Sequence, residues 1–316
     1  MLLLSIHYGE KGMVPASEVL RSGGRAIDAI EAGMRRVEPD PEIELVGRGG
    51  LPNALCQSEC DGAVMDGRTL RAGTVGGLKG FLHPFSVARA VMERLPHVML
   101  VGEGANRFAR EIGSEWVDDM VTPKAQSDYT EWKHSHFPQL TGEISDKTPL
   151  LPAFVVDQEV FGSRDTVVYL AIDSGGDLVV GTSTSGWPFK YPGRLGDSPV
   201  VGAGLYANNR YGACCCTHTG EMTIRANTAS SVVHYMKRGA TVEEACFEAI
   251  SDLQELRGGA HGPVVIYACD RNGDHRVFAS VPKTDPFYYC FWDETVSVPE
   301  RRKPNYFELN RQDLTS

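Results

Sequence analysis

The sequence predicts an α+β fold, in which strands and helices occupy separate stretches of the chain. After residue 165 a run of strands is followed by two helices and then by a hairpin, without a regular alternation of strand and helix. The one candidate for a dinucleotide-binding glycine motif, Gly102-Glu-Gly104, lacks the third glycine. Both observations favour layered sheets and helices over a doubly wound parallel sheet.

The amino-terminal part is predicted to begin with two helices. Ser17 is placed to cap a short first helix, which Gly23 and Gly24 end. The second helix extends from Ile27 to Val37 on apolar residues three or four positions apart. The next segments are predicted as a strand at 63–65, a helix at 87–95, a strand at 97–101 and a helix at 105–112.

Residues 113–165 sustain no period and are predicted to be a weakly structured linker, of a functional or processed kind. The chain changes character after this linker, where long apolar runs begin. These runs predict strands at 166–173, 177–183, 202–207 and 212–216, helices at 222–238 and 241–256, and a hairpin of 264–269 with 276–281.

The composition narrows the classes of function. The chain has 316 residues, with 31 Lys and Arg against 41 Asp and Glu, for a formal net charge of -10. This balance argues against nucleic acid and anionic membranes as partners, because both attract basic proteins. No apolar run approaches the ~20 residues of a membrane helix, and residues 1–7 carry no basic leader. We therefore expect a cytoplasmic protein.

The eight cysteines are expected to be reduced and mostly buried. Three of them are consecutive at 214–216, and neighbours on a strand point to opposite faces. Cys56 and Cys60 are separated by three residues, which differs from the two-residue spacing of a zinc site, and no second pair follows. The sequence predicts no metal site.

Four features of the second half could carry chemistry: Asp165-Thr166 at the end of the linker, the hydroxyl-rich segment Gly181-Thr-Ser-Thr-Ser-Gly186, the pair Arg194 and Asp197 between turn residues, and Thr217 after the cysteines. Each feature alone has an ordinary structural explanation. A threonine favours strands, hydroxyl side chains favour turns, and a surface ion pair contributes little.

Together these motifs resemble the glycosylasparaginase branch of the N-terminal nucleophile hydrolases, which also includes isoaspartyl peptidases and plant-type asparaginases. The resemblance extends to Gly47-Arg-Gly-Gly-Leu-Pro-Asn53, Asp61-Gly-Ala-Val-Met-Asp-Gly67 and Val101-Gly-Glu-Gly-Ala105. It covers nearly the whole chain outside parts of the linker and the carboxyl-terminal tail. It implies a four-layer αββα sandwich formed by residues 1–316 as one domain, made as an inactive precursor that cleaves itself.

The resemblance assigns roles by position. The nucleophile falls on Thr166, so that cleavage of the Asp165–Thr166 bond would give chains 1–165 and 166–316. The new α-amine, with a pKa near ~7.7–8.0, would be the base for the Thr166 hydroxyl. Thr184 corresponds to the threonine whose hydroxyl bonds the nucleophile, and Thr217 to the threonine of the oxyanion hole.

The resemblance also implies how substrate is held. Arg194 corresponds to the arginine that binds the substrate α-carboxylate, and Asp197 to the carboxylate that binds the α-ammonium. This zwitterion clamp would place the side-chain amide of an asparagine derivative over Thr166. No metal or organic cofactor is implied. A homodimer is implied, which would be (αβ)2 after processing.

Several positions depart from the family pattern: Arg164 and Val168 beside the scissile bond, Leu45 in place of a serine, His7 in place of a tryptophan, and His218 in place of a substrate-binding glycine. The main-chain groups of His218 could still contact substrate. Its ring could point away, or it could line the leaving-group side with His7 and exclude a sugar-bearing amide.

Three functions are therefore open at this point. The first expectation is a glycosylasparaginase-type amidohydrolase. The nearest alternative is L-asparaginase or isoaspartyl peptidase activity, which uses the same clamp with another leaving group. The third is an unprocessed, catalytically silent homologue that binds an amino-acid-like ligand.

Overall fold

The computed structural model describes residues 1–145, 147–154, 166–281 and 287–310. Eight strands form the first sheet: β1 (Leu2–Ile6), β2 (Cys60–Asp66), β3 (Ala72–Leu78), β4 (Met99–Val101), β5 (Val167–Ile172), β6 (Leu178–Thr184), β11 (Tyr289–Asp293) and β12 (Glu300–Arg302). Five strands form the second: β7 (Leu205–Asn208), β8 (Gly212–His218), β9 (Val264–Asp270), β10 (His275–Ala279) and β13 (Asn305–Tyr306).

The helices are α1 (Glu10–Arg21), α2 (Ala26–Val37), α3 (Pro84–Arg94), α4 (Gly102–Glu111), α5 (Pro123–His136), α6 (Gly220–Ala226), α7 (Thr228–Lys237) and α8 (Val242–Gln254). Short 3-10 turns occur at His7–Gly9 and Leu151–Ala153. Within the ranges just given, no helix has the length and apolar character needed to cross a membrane.

Both sheets are largely antiparallel. The strand order is β12-β11-β1-β5-β6-β2-β3-β4 in the first sheet and β13-β10-β9-β8-β7 in the second. Parallel pairing occurs between β3 and β4 and between β10 and β13. The central strands β1, β5 and β6 are buried along their whole length, as expected for strands covered on both faces.

The two sheets pack face to face, and helices cover their outer faces. The largest core joins residues of β1, β5 and β6 to residues of β8 and β9, together with α1 and α2 on the far side of the first sheet. A second core lies between α7, α8 and the outer face of the second sheet. This arrangement confirms the α+β class and the four-layer αββα sandwich.

The three consecutive cysteines alternate between these two cores. Cys215 belongs to the core between the sheets, whereas Cys214 and Cys216 belong to the core under α7 and α8. All eight cysteines of the chain are free, and seven are buried. The expectation of mostly buried thiols is thus confirmed.

The cap predicted at Ser17 is wrong. α1 begins at Glu10, and Ser17 is buried inside it. Its hydroxyl donates to the carbonyl of Val14 at 2.9 Å instead of accepting from an amide in the next turn.

The weak structure predicted for residues 113–165 is wrong at its centre, where α5 forms. Thr122 caps α5, since its hydroxyl accepts from the amide of Ala125 at 3.2 Å. Tyr129 anchors this helix by donating to the carbonyl of Ala54 at 3.2 Å. Only a few positions of α5 are buried, so that its sequence shows little of the apolar stripe that marks a helix.

The single helix predicted at 222–238 is divided into α6 and α7. Asn227 separates them, with a backbone φ of 52° in the left-handed region that asparagine tolerates better than most residues. This break separates α6, which contacts β8 and β9, from α7, which packs on β7 and β8.

Candidate active site

Five of the six side chains predicted to act on substrate line one small pocket. Thr166 immediately precedes β5, Thr184 ends β6, and His218 ends β8. Arg194 and Asp197 come from the loop between β6 and β7. Gly186, Trp187, Gly196 and Ser198 complete the lining.

Thr166 lies at the end of the central strand pair. Val167 pairs with Ser183, and therefore Thr166 is opposite Thr184 in the β5–β6 register. Thr166 is buried, with its Oγ1 at 2.8 Å from the Oγ of Ser198. The carbonyl of Ser198 accepts a hydrogen bond from the Thr182 hydroxyl at 2.7 Å. This bond fixes the loop between β6 and β7 against β6. The candidate nucleophile is thus held by a hydroxyl to which the sequence analysis assigned no role.

Thr184 is held by backbone groups on both sides. Its Oγ1 donates to the carbonyl of Leu45 at 3.4 Å and accepts from the amide of Gly186 at 3.0 Å. The same Leu45 carbonyl accepts from the amide of Ser185 at 2.8 Å. Leu45 therefore supports the pocket through its main-chain carbonyl. This contact does not depend on the Leu45 side chain, which is the part that departs from the family pattern.

Arg194 is fixed on two sides. Its Nε and Nη2 donate to Glu221 at 2.8 to 2.9 Å in a two-pronged ion pair. Its guanidinium lies over the ring of Trp187, 4.4 Å from the ring centre. A guanidinium held in one plane can bind a carboxylate through two parallel hydrogen bonds.

Asp197 is buried beside Arg194. Burial raises the pKa of this carboxyl to about 6, and the nearby Glu221 raises it as well. The hydrogen bond from Thr223 and the charge of Arg194 oppose that rise. The Thr223 hydroxyl donates to Oδ2 of Asp197 at 2.7 Å. Asp197 is therefore an anion at neutral pH that loses its charge in mildly acidic solution.

Thr217 is the sixth predicted residue; it is fully buried in β8, next to His218, and is not among the residues that line the pocket. Its Oγ1 lies 2.9 Å from Nδ1 of His218. His218 has a φ of 83°, in the left-handed region that costs a residue with a side chain roughly 1–2 kcal/mol. A glycine would adopt this backbone without strain, which explains why the replacement is costly here.

His7 and His218 meet a common neighbour. The ring of Phe287 lies 5.2 Å from the ring of His7 and 6.1 Å from that of His218. His7 also packs on Tyr8 and Tyr288. The two histidines therefore flank one aromatic side chain at the edge of the pocket.

The scissile bond predicted between Asp165 and Thr166 is described on one side only, because Arg164 and Asp165 lie outside the described residues. Val168 is buried in β5, paired with Thr182. Among the described residues, no group of three or more His, Cys, Asp and Glu side chains is arranged to hold a metal ion.

The sequence reasoning assigned no role to Ser198, Glu221 or Thr223. Ser198 directly follows Asp197 in the sequence, so a place beside the clamp could have been expected for it. Glu221 and Thr223 lie in the first turn of α6, which begins at Gly220, two residues before the predicted start at 222. Nothing in their spacing links them to Arg194 and Asp197, more than 20 positions earlier.

The comparison with known proteins identifies the family of the chain. A sequence model of a family described as asparaginase matches residues 11–284. The chain belongs to the asparaginase family. This membership confirms the resemblance, and the family is one of amide hydrolases of the N-terminal nucleophile type.

Three relatives illustrate the family's range. An N(4)-(β-N-acetylglucosaminyl)-L-asparaginase from Elizabethkingia miricola is 36% identical over 81% of this chain and 70% of its own length. An isoaspartyl peptidase/L-asparaginase from Danio rerio is 35% identical over 81% of this chain and 76% of its own. An isoaspartyl peptidase from Escherichia coli is 34% identical over 89% of this chain and 83% of its own.

Proposed function

We propose that this protein hydrolyses the side-chain amide of asparagine derivatives of the N4-(β-N-acetylglucosaminyl)-L-asparagine type, after cleaving itself before Thr166. The observation that carries the proposal is one small pocket that holds a buried threonine hydroxyl together with a fixed guanidinium and a buried carboxylate. A hydroxyl nucleophile, a carboxylate binder and an ammonium binder are what this reaction requires.

The proposed mechanism has two halves. In the first, the Thr166 hydroxyl attacks the amide carbon and gives its proton to the Thr166 α-amine, which then protonates the departing amine. The product of this half is a β-aspartyl ester on Thr166. In the second half a water molecule, deprotonated by the same amine, attacks the ester and releases L-aspartate. The Thr217 hydroxyl would stabilise the negative oxygen of each tetrahedral intermediate.

The experiment is a product assay with Thr166→Ala as the control. We expect the wild-type protein to release aspartate from N4-(β-N-acetylglucosaminyl)-L-asparagine, and the Thr166→Ala variant to release none. Ser198→Ala should keep measurable activity, because Ser198 orients the hydroxyl but does not supply the nucleophile. Aspartate release by Thr166→Ala at the wild-type rate would contradict the proposed nucleophile.

The alternative is L-asparaginase or isoaspartyl peptidase activity, and His218 favours it. The side chain of His218 lines the pocket at the position where the family pattern has a glycine. Its ring takes up space beside the substrate, which favours a leaving group smaller than a sugar-bearing amine. The same assay with L-asparagine and a β-aspartyl dipeptide decides between the two. Aspartate binding without hydrolysis of any of the three would indicate the silent homologue.

The assembly belongs to the proposal as well. We infer chains 1–165 and 166–316 from one 1–316 domain, associated as an (αβ)2 homodimer, with no cofactor. Eight free thiols support a cytoplasmic, reducing location, since exposed disulfides do not persist there. A mass in solution of about twice 34.5 kDa would support the dimer.

A further inference from the structure

The two charged side chains of the clamp are both held by the first turn of α6. Glu221 pairs with Arg194 through three hydrogen bonds, and Thr223 donates to Asp197. Gly220 precedes them at a close approach, because a Cβ there would lie 2.7 Å from the amide nitrogen of Asp197 and 2.8 Å from its Oδ1. A single helical turn thus contacts both ends of the clamp.

Glu221 binds one edge of the Arg194 guanidinium and leaves the other edge available to a ligand. Glu221 takes Nε and Nη2, and Trp187 covers one face of the guanidinium. Nη1 points toward two glycines, since a Cβ on Gly186 or Gly196 would lie 3.3 or 3.0 Å from it. Both glycines line the pocket, whereas Glu221 does not. The free edge of the guanidinium therefore faces the pocket, and Glu221 stands behind it.

Thr223 has the corresponding position behind Asp197. It is fully buried and bonds Oδ2 of the carboxylate, and its hydroxyl also lies 3.0 Å from the carbonyl of Gly220 in the same turn. Thr223 does not line the pocket, although Asp197 does. The carboxylate is thus oriented from outside the ligand space.

We propose that Glu221 and Thr223 are positioning residues for the substrate: Glu221 presents Arg194 to the α-carboxylate, and Thr223 presents Asp197 to the α-ammonium. This inference rests on the proposed function, because it takes a substrate with both groups. Its consequence is that the two ends of the clamp are supported independently and can be weakened one at a time.

Three small ligands report on the two ends separately. L-Aspartate carries both the α-carboxylate and the α-ammonium. Succinamate lacks the α-ammonium and so reports on Arg194, whereas β-alaninamide lacks the α-carboxylate and reports on Asp197. Binding of each is measured by calorimetry at pH 7.5, which does not depend on turnover.

We expect Glu221→Gln to weaken L-aspartate and succinamate at least tenfold and to leave β-alaninamide within twofold. Thr223→Val should weaken L-aspartate and β-alaninamide at least tenfold and leave succinamate within twofold, while Thr223→Ser, which keeps the hydroxyl, should restore wild-type binding. The matched control is Glu111→Gln, which removes an exposed glutamate–arginine pair on α4, away from the pocket, and should change nothing.

The pH dependence of L-aspartate binding is a second measurement, in which the two variants should shift the pH midpoint of binding in opposite directions. Binding is lost as pH falls through the pKa of Asp197, where the carboxylate gains a proton. Removing the negative charge of Glu221 lowers that pKa, and removing the Thr223 hydroxyl raises it, while Arg194 remains in both variants. The midpoint should therefore move to lower pH in Glu221→Gln and to higher pH in Thr223→Val.

Three results would contradict the inference. Tighter succinamate binding in Glu221→Gln would mean that Glu221 competes with the ligand for Arg194, and equal weakening of both analogues in either variant would mean a general loss of structure. A wild-type protein that fails to bind L-aspartate would contradict the inference and the proposed function together. Selective weakening in a protein without amidase activity would contradict only the proposed function.

Discussion

At the residue scale, the charged groups of the pocket determine recognition. Arg194 and Asp197 are partly or fully buried and hydrogen-bonded, so that replacing either one removes a charge-assisted contact in a site sheltered from water. We expect Arg194→Ala and Asp197→Ala each to lower kcat/KM for the amide substrate by the equivalent of ~2–4 kcal/mol. Equal turnover of substrates with a free and a blocked α-amine would show that the clamp is not used.

His218 is the residue whose backbone is strained, and two substitutions separate its ring from its backbone. We expect both His218→Gly and His218→Ala to raise kcat/KM for glycosylated asparagine relative to free asparagine, because both remove the ring beside the acyl site. Only the glycine also relieves the left-handed backbone at φ 83°. The measurement is the ratio of the two kcat/KM values in each protein. An unchanged ratio in both variants would leave the ring without a role in specificity.

Protonation of the Asp197 carboxylate affects the free energy of unfolding of the protein. Its pKa is raised from 3.8 to about 6, so the folded protein holds the proton more tightly than the unfolded chain. Its contribution to stability is full below pH ~4 and is lost as pH rises through about 6. We expect Asp197→Asn to lower kcat/KM as Asp197→Ala does, yet to be more stable than wild type at pH 7.5, by on the order of 3 kcal/mol. Denaturant unfolding at pH 4.5 and 7.5 should show this difference shrinking at the lower pH.

At the element scale, the sequence predicted best where apolar runs are long. The predicted strands at 166–173, 177–183, 264–269 and 276–281 are confirmed as β5, β6, β9 and β10, because buried strands need continuous apolar runs. β1 was not predicted: five residues are too few to show a period, although it lies between β11 and β5. α5 was missed because most of its surface is polar.

α6 packs closely on the loop between β6 and β7 that carries Arg194 and Asp197, and this contact can be tested by substitution. Gly220 has no room for a Cβ, which would meet backbone and side-chain atoms of Asp197 closer than 3 Å. We expect Gly220→Ala to push α6 away from the loop and to weaken L-aspartate binding at least tenfold. Gly104→Ala on α4 is the matched control, since its Cβ would meet no atom within 4 Å. Wild-type affinity in Gly220→Ala would show that this close approach is not required.

The resemblance to a family predicted most of the side chains of the candidate site, and the fold brings these side chains close together. The pocket gathers side chains from four chain segments, and only the pairing of β5 with β6 and the packing of the two sheets bring them together: Thr166, Thr184, Arg194 with Asp197, and His218. Their catalytic roles stay predictions. The sequence did not predict the residues that support the site, which are Ser198, Glu221 and Thr223. Their contacts with the predicted residues depend on distances in the folded protein and leave no periodic pattern in the sequence.

At the scale of the whole molecule, the four layers place the start of β5 at the pocket, so that the candidate nucleophile sits at the junction of the two proposed chains. Most of β5 lies between β1 and β6 and is fully buried, which would hold Thr166 in place after the preceding bond is cut. Cleavage would therefore free an α-amine beside the Thr166 hydroxyl without dismantling the sandwich.

If Thr166 becomes an amino-terminal nucleophile, the purified protein must consist of two chains, which an intact-mass measurement reveals. We predict two fragments whose masses match residues 1–165 and 166–316, and a single full-length mass for Thr166→Ala incubated in parallel. A wild-type protein that stays full length after prolonged incubation and still hydrolyses an aspartyl amide would contradict the account.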